Sequence, residues 1–75
     1  MKTKYKFINF EQHENSLWSI KNNKSKDILG YVEYYPQWKE YVFVNYPLKE
    51  MVFSVKCLLD IIDFIKNLAN DKEKT

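Results

Sequence analysis

The chain has 75 residues, 45% of them hydrophobic and 17% aromatic, with twelve lysines against ten acidic residues for a net charge of +2. A domain this small buries only about 60% of the surface its unfolded chain exposes, so it needs a dense core or self-association. A single cysteine (Cys57) and a single histidine (His13) exclude an internal disulfide and a Cys/His zinc staple, and the lack of arginine argues against bidentate reading of phosphate or guanine.

KTKYKF (2–7) carries lysine at every second position, the period of a strand with one solvated face. Lysines placed so also discourage edge-to-edge pairing, and a basic arm on nucleic acid is the alternative reading. EQHENS (11–16) is polar and turn-like. From Leu17 to Lys21 the pattern alternates, with Trp18 and Ile20 on one face and Ser19 and Lys21 on the other. NNKSKD (22–27) gathers side chains that close turns by bonding to their own backbone, and reads as a loop.

Ile28–Tyr35 and Trp38–Asn45 predict the two strongest strands, rich in tyrosine, valine and phenylalanine, with Pro36-Gln37 as the turn between them. A two-residue loop sets Glu33 opposite Glu40, a repulsive pair. A three-residue loop sets Glu33 opposite Lys39 and Tyr31 opposite Tyr41, and is preferred on cross-strand pairing. That register puts Val32, Tyr34, Trp38, Val42 and Val44 on one face and Leu29, Tyr31, Tyr35, Tyr41 and Phe43 on the other. YPLKE (46–50) then turns the chain. Ser54 is a candidate N-cap for a helix from Val55 to about Asn70, and DKEKT (71–75) reads as a frayed tail. Leu58, Ile62, Ile65 and Ala69 form a helical stripe flanked by Ile61 and Leu68, with Lys56, Asp60, Asp63, Asn67 and Asn70 opposite.

Strands followed by one helix, without repeat or linker, give a single α+β domain over 1–75: an antiparallel meander of three to four strands with a C-terminal helix packed on one sheet face. No apolar run suits a signal peptide or a membrane span, so the expected location is cytoplasmic, in which a lone reduced thiol is at home.

Catalysis is not expected. Cys57 sits on the edge of the apolar helix arc, as an inert thiol does, and His13 belongs to a distant polar loop. Ser54 reads as a cap, Asp60 and Asp63 as a solvated pair, and Gly30, the single glycine, cannot make a phosphate-cradling loop. No cofactor and no metal are expected.

Surface is the informative quantity. The apolar helix arc spans roughly 220°, about twice the stripe of an ordinary surface helix, and one sheet face cannot cover it. Seven of the thirteen aromatic residues fall between Gly30 and Pro47, and both hairpin faces are apolar. Large rings left near solvent mark a contact surface, for which Tyr31, Tyr35, Trp38, Lys39, Tyr41 and Phe43 are the candidates. The expected partner is a protein, either another protein or a second copy of the chain. Single-stranded nucleic acid, held by rings and framed by Lys21, Lys24, Lys26 and Lys39, is the second reading, weakened by the small net charge and by Glu33 and Glu40.

Four blocks in order, Trp18-x-Ile20-x-Asn22, Leu29-Gly30-x-Val32-x-Tyr34-Tyr35, Trp38-Lys39-x-Tyr41-x-Phe43 and Cys57-Leu58-x-Asp60-Ile61-x-x-Phe64-Ile65, resemble a family of short uncharacterised proteins encoded by phages and prophages. The resemblance covers residues 18 to about 65. This chain has Lys39 where the family more often has arginine, and Glu40 where glutamine is commoner. The resemblance implies an origin rather than a mechanism. Small phage proteins without active sites frequently occupy a surface on a host protein, defence components such as CRISPR systems included, so it implies an inhibitor or modulator in the host cytoplasm.

Overall fold

The computed structural model describes residues 1–45 and 52–73, the last three by backbone alone. The predicted turn at 46–50 lies outside the described residues. Four antiparallel strands, β1 (Ile8–Glu14), β2 (Leu17–Asn22), β3 (Ile28–Tyr35) and β4 (Glu40–Asn45), form one sheet in the order of the chain. A helix, α1 (Val55–Glu73), follows and covers one face. The predicted α+β meander with a C-terminal helix is the observed architecture.

The first strand is displaced from its expected place. Residues 2–7 contribute only a bridge from Lys4 to Asn9, and instead double back on the start of β1. The Phe10 N–H donates to Thr3 O at 2.8 Å and the Tyr5 N–H to Ile8 O at 2.9 Å. The lysine alternation has little to bury, since of the intervening residues Thr3 and Tyr5 are half-buried and Phe7 is exposed. Ile8 and Phe10, two apart, are both buried, and they fix where the strand begins. Glu11 to Glu14, expected in a turn, therefore run on as the solvated end of an edge strand, and only Asn15-Ser16 turns the chain.

The β2–β3 loop closes as its composition suggests. Asn22 Oδ1 accepts the backbone N–H groups of Lys24 (2.8 Å) and Ser25 (3.0 Å), an Asx turn, and Lys26 adopts φ 66°.

Register in the second hairpin differs from both predicted alternatives. Tyr35 pairs with Glu40, Tyr34 with Tyr41, Glu33 with Val42 and Val32 with Phe43, around a four-residue turn of 36–39. Trp38 is thus in the turn and β4 starts at Glu40. The consequence is a re-sorting of faces: Tyr41 and Phe43 join Val32 and Tyr34, while Val42 and Val44 join Tyr31 and Tyr35. Like charges are kept apart, because Glu33 faces valine instead of Glu40.

Beneath α1 the sheet contributes Ile8, Phe10, Trp18, Ile20 and Val32, and the helix contributes Ile61, Phe64 and Leu68, all buried. Phe64 is the centre of this core. Its ring stacks on Phe10 (centroids 3.9 Å, planes 4° apart) and meets Trp18 edge-on at 5.0 Å. Gly30 has a packing reason: a Cβ there would lie 2.6 Å from Val44 O and 2.8 Å from Phe43 Cε1. The helix begins as predicted, with the Cys57 N–H donating to Ser54 Oγ (3.1 Å) and the Leu58 N–H to Ser54 O (3.0 Å). It extends to Glu73, three residues beyond the expected end.

Candidate functional site

The six candidate residues do not share one surface. Tyr31 and Tyr35 stand half-buried on the open face of the sheet, away from α1. Tyr41 and Phe43 point to the helix side, where Tyr41 meets Tyr34 edge-on at 5.4 Å and Phe43 meets Phe53 at 5.3 Å. Trp38 and Lys39 occupy the turn between the two faces.

That turn is ordered by its backbone. Pro36 supplies the fixed φ for the first central position, the Trp38 N–H donates to Tyr35 O at 3.1 Å, and the Lys39 N–H to Pro36 O at 3.2 Å. Lys39 takes φ 55°, which returns the chain to β4. Trp38 is 66% exposed, and its ring is held edge-on against Tyr35 at 4.8 Å with planes 68° apart. On the helix side, a groove of about 390 Å³ runs between this hairpin and the second half of α1, walled mainly by Tyr34, Tyr41, Ile65 and Ala69.

The open face hides more of itself than its composition suggests. Leu17, Tyr31, Tyr35 and Val42 are half-buried by their neighbours, Ser19 is fully buried, and only Val44 among the large apolar residues there is exposed. At its β1 edge Lys21 Nζ donates to Glu11 Oε2 at 2.8 Å, and this hydrogen bond and charge hold the Glu11 carboxyl below its usual range. Apolar excess is concentrated instead on the outer side of α1, where Val55, Leu58, Leu59 and Ile62 are exposed.

One contact was not foreseen. His13 lies on β1, not in a loop, and its Nε2 is 2.8 Å from Ser19 Oγ. Serine with histidine is two-thirds of a nucleophilic triad. Ser19 has no accessible surface at all, so no substrate reaches the hydroxyl, and the pair serves the sheet. The alternation that set Ser19 opposite Trp18 was visible in the sequence; the bulge between Gln12 and Glu14 that brings His13 over it was not.

Cys57 is half-buried in the first turn of the helix. Asp63 Oδ2 accepts the Tyr5 hydroxyl at 2.7 Å and Asn67 Nδ2–H at 3.3 Å. Burial, and then this bond to Asp63, push the Tyr5 hydroxyl well above the usual tyrosine range. Among the described residues, no group of three His, Cys, Asp or Glu side chains converges as metal ligands would, and no helix is long and apolar enough to cross a membrane.

No protein-family model, curated protein or solved structure matches the chain.

Proposed function

We propose that the protein is a small non-enzymatic binding module of phage origin that inhibits or modulates a host protein, with the β3–β4 turn as the element that enters the partner. Trp38 carries this reading: the largest kind of apolar side chain, two-thirds exposed, on a turn whose backbone is fixed by its own hydrogen bonds. Tryptophan is over-represented among residues that dominate binding energy, and a pre-ordered turn loses little entropy on docking. Tyr35 braces the ring and Lys39 flanks it, while Tyr31 extends the same face. Tyr41 and Phe43 act from behind, holding β4 against the helix side. Inhibition then follows from occupying the host surface, by steric block or by favouring one of its conformations.

The phage attribution rests on the four sequence blocks and not on the fold. Nucleic-acid binding is the weaker reading because the lysines do not gather. Lys21 is engaged by Glu11, and Lys24 and Lys26 lie at the far end of β3 from Trp38.

The test is capture of a protein from a host lysate, followed by titration of the captured protein with the wild type and Trp38→Ala. Binding should weaken by about 2 kcal/mol, near thirtyfold, with an unchanged far-UV spectrum. Equal affinity for both would remove the turn from the interface.

A further inference from the structure

We propose that the chain also associates with a second copy of itself through the outer side of α1, as an antiparallel helix pair about a two-fold axis passing between Leu58 and Leu59.

The large apolar residues left exposed on the helix are Val55 (71%), Leu58 (41%), Leu59 (57%) and Ile62 (48%). Their spacing of i, i+3, i+4 and i+7 makes one strip two turns long on the side away from Ile61, Phe64 and Leu68. This strip is the same read in either direction: a β-branched residue, two leucines, a β-branched residue. Turned over about the midpoint of Leu58 and Leu59, it sets Val55 against the copy's Ile62, and each of the two leucines meets its own counterpart across the axis. A self-matching strip is what an interface built from one patch on both subunits requires.

Charge selects the same arrangement. Lys56 and Asp63 are two turns apart, so they lie on one flank of the strip. In an antiparallel two-fold pair that flank meets its own copy, and each Lys56 faces an Asp63. A parallel pair would send the two flanks to opposite sides of the seam and leave both charges without a complement. Among the described residues Lys56 makes no ion pair. Asp63 receives both Tyr5 and Asn67 on Oδ2, which leaves Oδ1 for an incoming ammonium.

The strip is bounded. Lys66 follows one turn after Ile62 on the same side, so the seam is short and the dimer reversible, with dissociation on the order of micromolar. The flank carrying Asp60 and Asp63 also disfavours an anionic lipid surface, whose peripheral helices are edged by basic residues. This contact is separate from the Trp38 turn, so either proposal can fail without the other.

Sedimentation of the intact chain across about 1 to about 500 µM brackets dissociation of that order. The expected result is a mass that doubles with concentration, and a dissociation constant raised about tenfold or more by Leu59→Lys with no change in far-UV spectrum. Lys56→Asp alone and Asp63→Lys alone should be monomeric, and their equimolar mixture should restore the dimer, because only unlike protomers then pair opposite charges at both contacts. A monomer throughout the range overturns the proposal. So does a dimer indifferent to Leu59→Lys, or two folded charge variants that fail to complement. A dimer lost with Trp38→Ala and kept with Leu59→Lys also overturns it, since the two-fold is then at the hairpin turn.

Discussion

Gly30 and Lys39 sit in neighbouring strand and turn and break opposite rules. Gly30 has ordinary strand dihedrals but no room, since the Val44 carbonyl and the Phe43 ring occupy the space of a Cβ. Lys39 has room but the wrong hand, at φ 55°. Gly30→Ala should therefore destabilise by about 1–3 kcal/mol through overpacking, whereas Lys39→Gly should stabilise by about 0.5–1 kcal/mol by removing left-handed strain. Urea midpoints at constant slope would measure both, and the same sign for the two would contradict these contacts. Tyr5 gives a pH dependence. Folding raises its affinity for the hydroxyl proton, so the stability it lends is full below the unfolded value near 10 and is lost as pH rises beyond it. Glu11 acts in the opposite sense, its small surface contribution fading as pH falls through the acid range. The alkaline decline should be shallower in Tyr5→Phe, as followed by thermal unfolding between about pH 8 and pH 11; an identical decline would detach it from Asp63.

At the scale of elements, the loop of 22–27 does more than join β2 to β3. The Asn23 side chain donates to Tyr5 O (2.8 Å) and Lys6 O (3.1 Å) and accepts from Asn9 Nδ2 (2.7 Å), while its backbone N–H donates to Phe7 O (2.9 Å). It ties the returning N-terminal segment to the sheet. Asn23→Ala should cost about 1–2 kcal/mol and speed amide exchange at Tyr5 and Phe10, with β3 and β4 unaffected. Unchanged exchange there would show that the segment is held by other contacts. The helix, its Ser54 cap and the 22–27 loop could be read from the residues because their signals are local. Hairpin register could not, because the four-residue turn depends on a lysine in a conformation that glycine or asparagine ordinarily advertises. With the register goes the sorting of the rings: the sequence alone groups Tyr41 and Phe43 with Tyr31 and Tyr35, although they face the other way. For β1 the signal was present in Ile8 and Phe10, and the more regular lysine alternation ahead of them masked it.

For the molecule as a whole, the surplus of apolar surface read from the helix arc is real, but it lies elsewhere than the aromatic count suggested. Among the described residues, most rings are at least half-covered, by α1 or by one another. The aliphatic residues at the wide edge of the arc have nothing from the sheet to meet. A narrow four-stranded ribbon has width for one stripe of helix and no more, and this part of the site was legible from angle and width alone.

Each strand pairs only with its immediate neighbours in the chain, and that ordering has a kinetic consequence. Hairpins with short turns can zip one after another with little loop entropy to overcome, whereas seating Phe64 on Phe10 must close most of the chain at once. The rate-limiting barrier should therefore be crossed with the meander largely assembled and the helix still undocked. Phe64→Ala, truncating the ring at the centre of the core, should accelerate unfolding far more than it slows refolding, while Val32→Ala should do the reverse. Stopped-flow chevrons would show it, and a large slowing of refolding by the Phe64 change would mean instead that helix docking is the nucleating event.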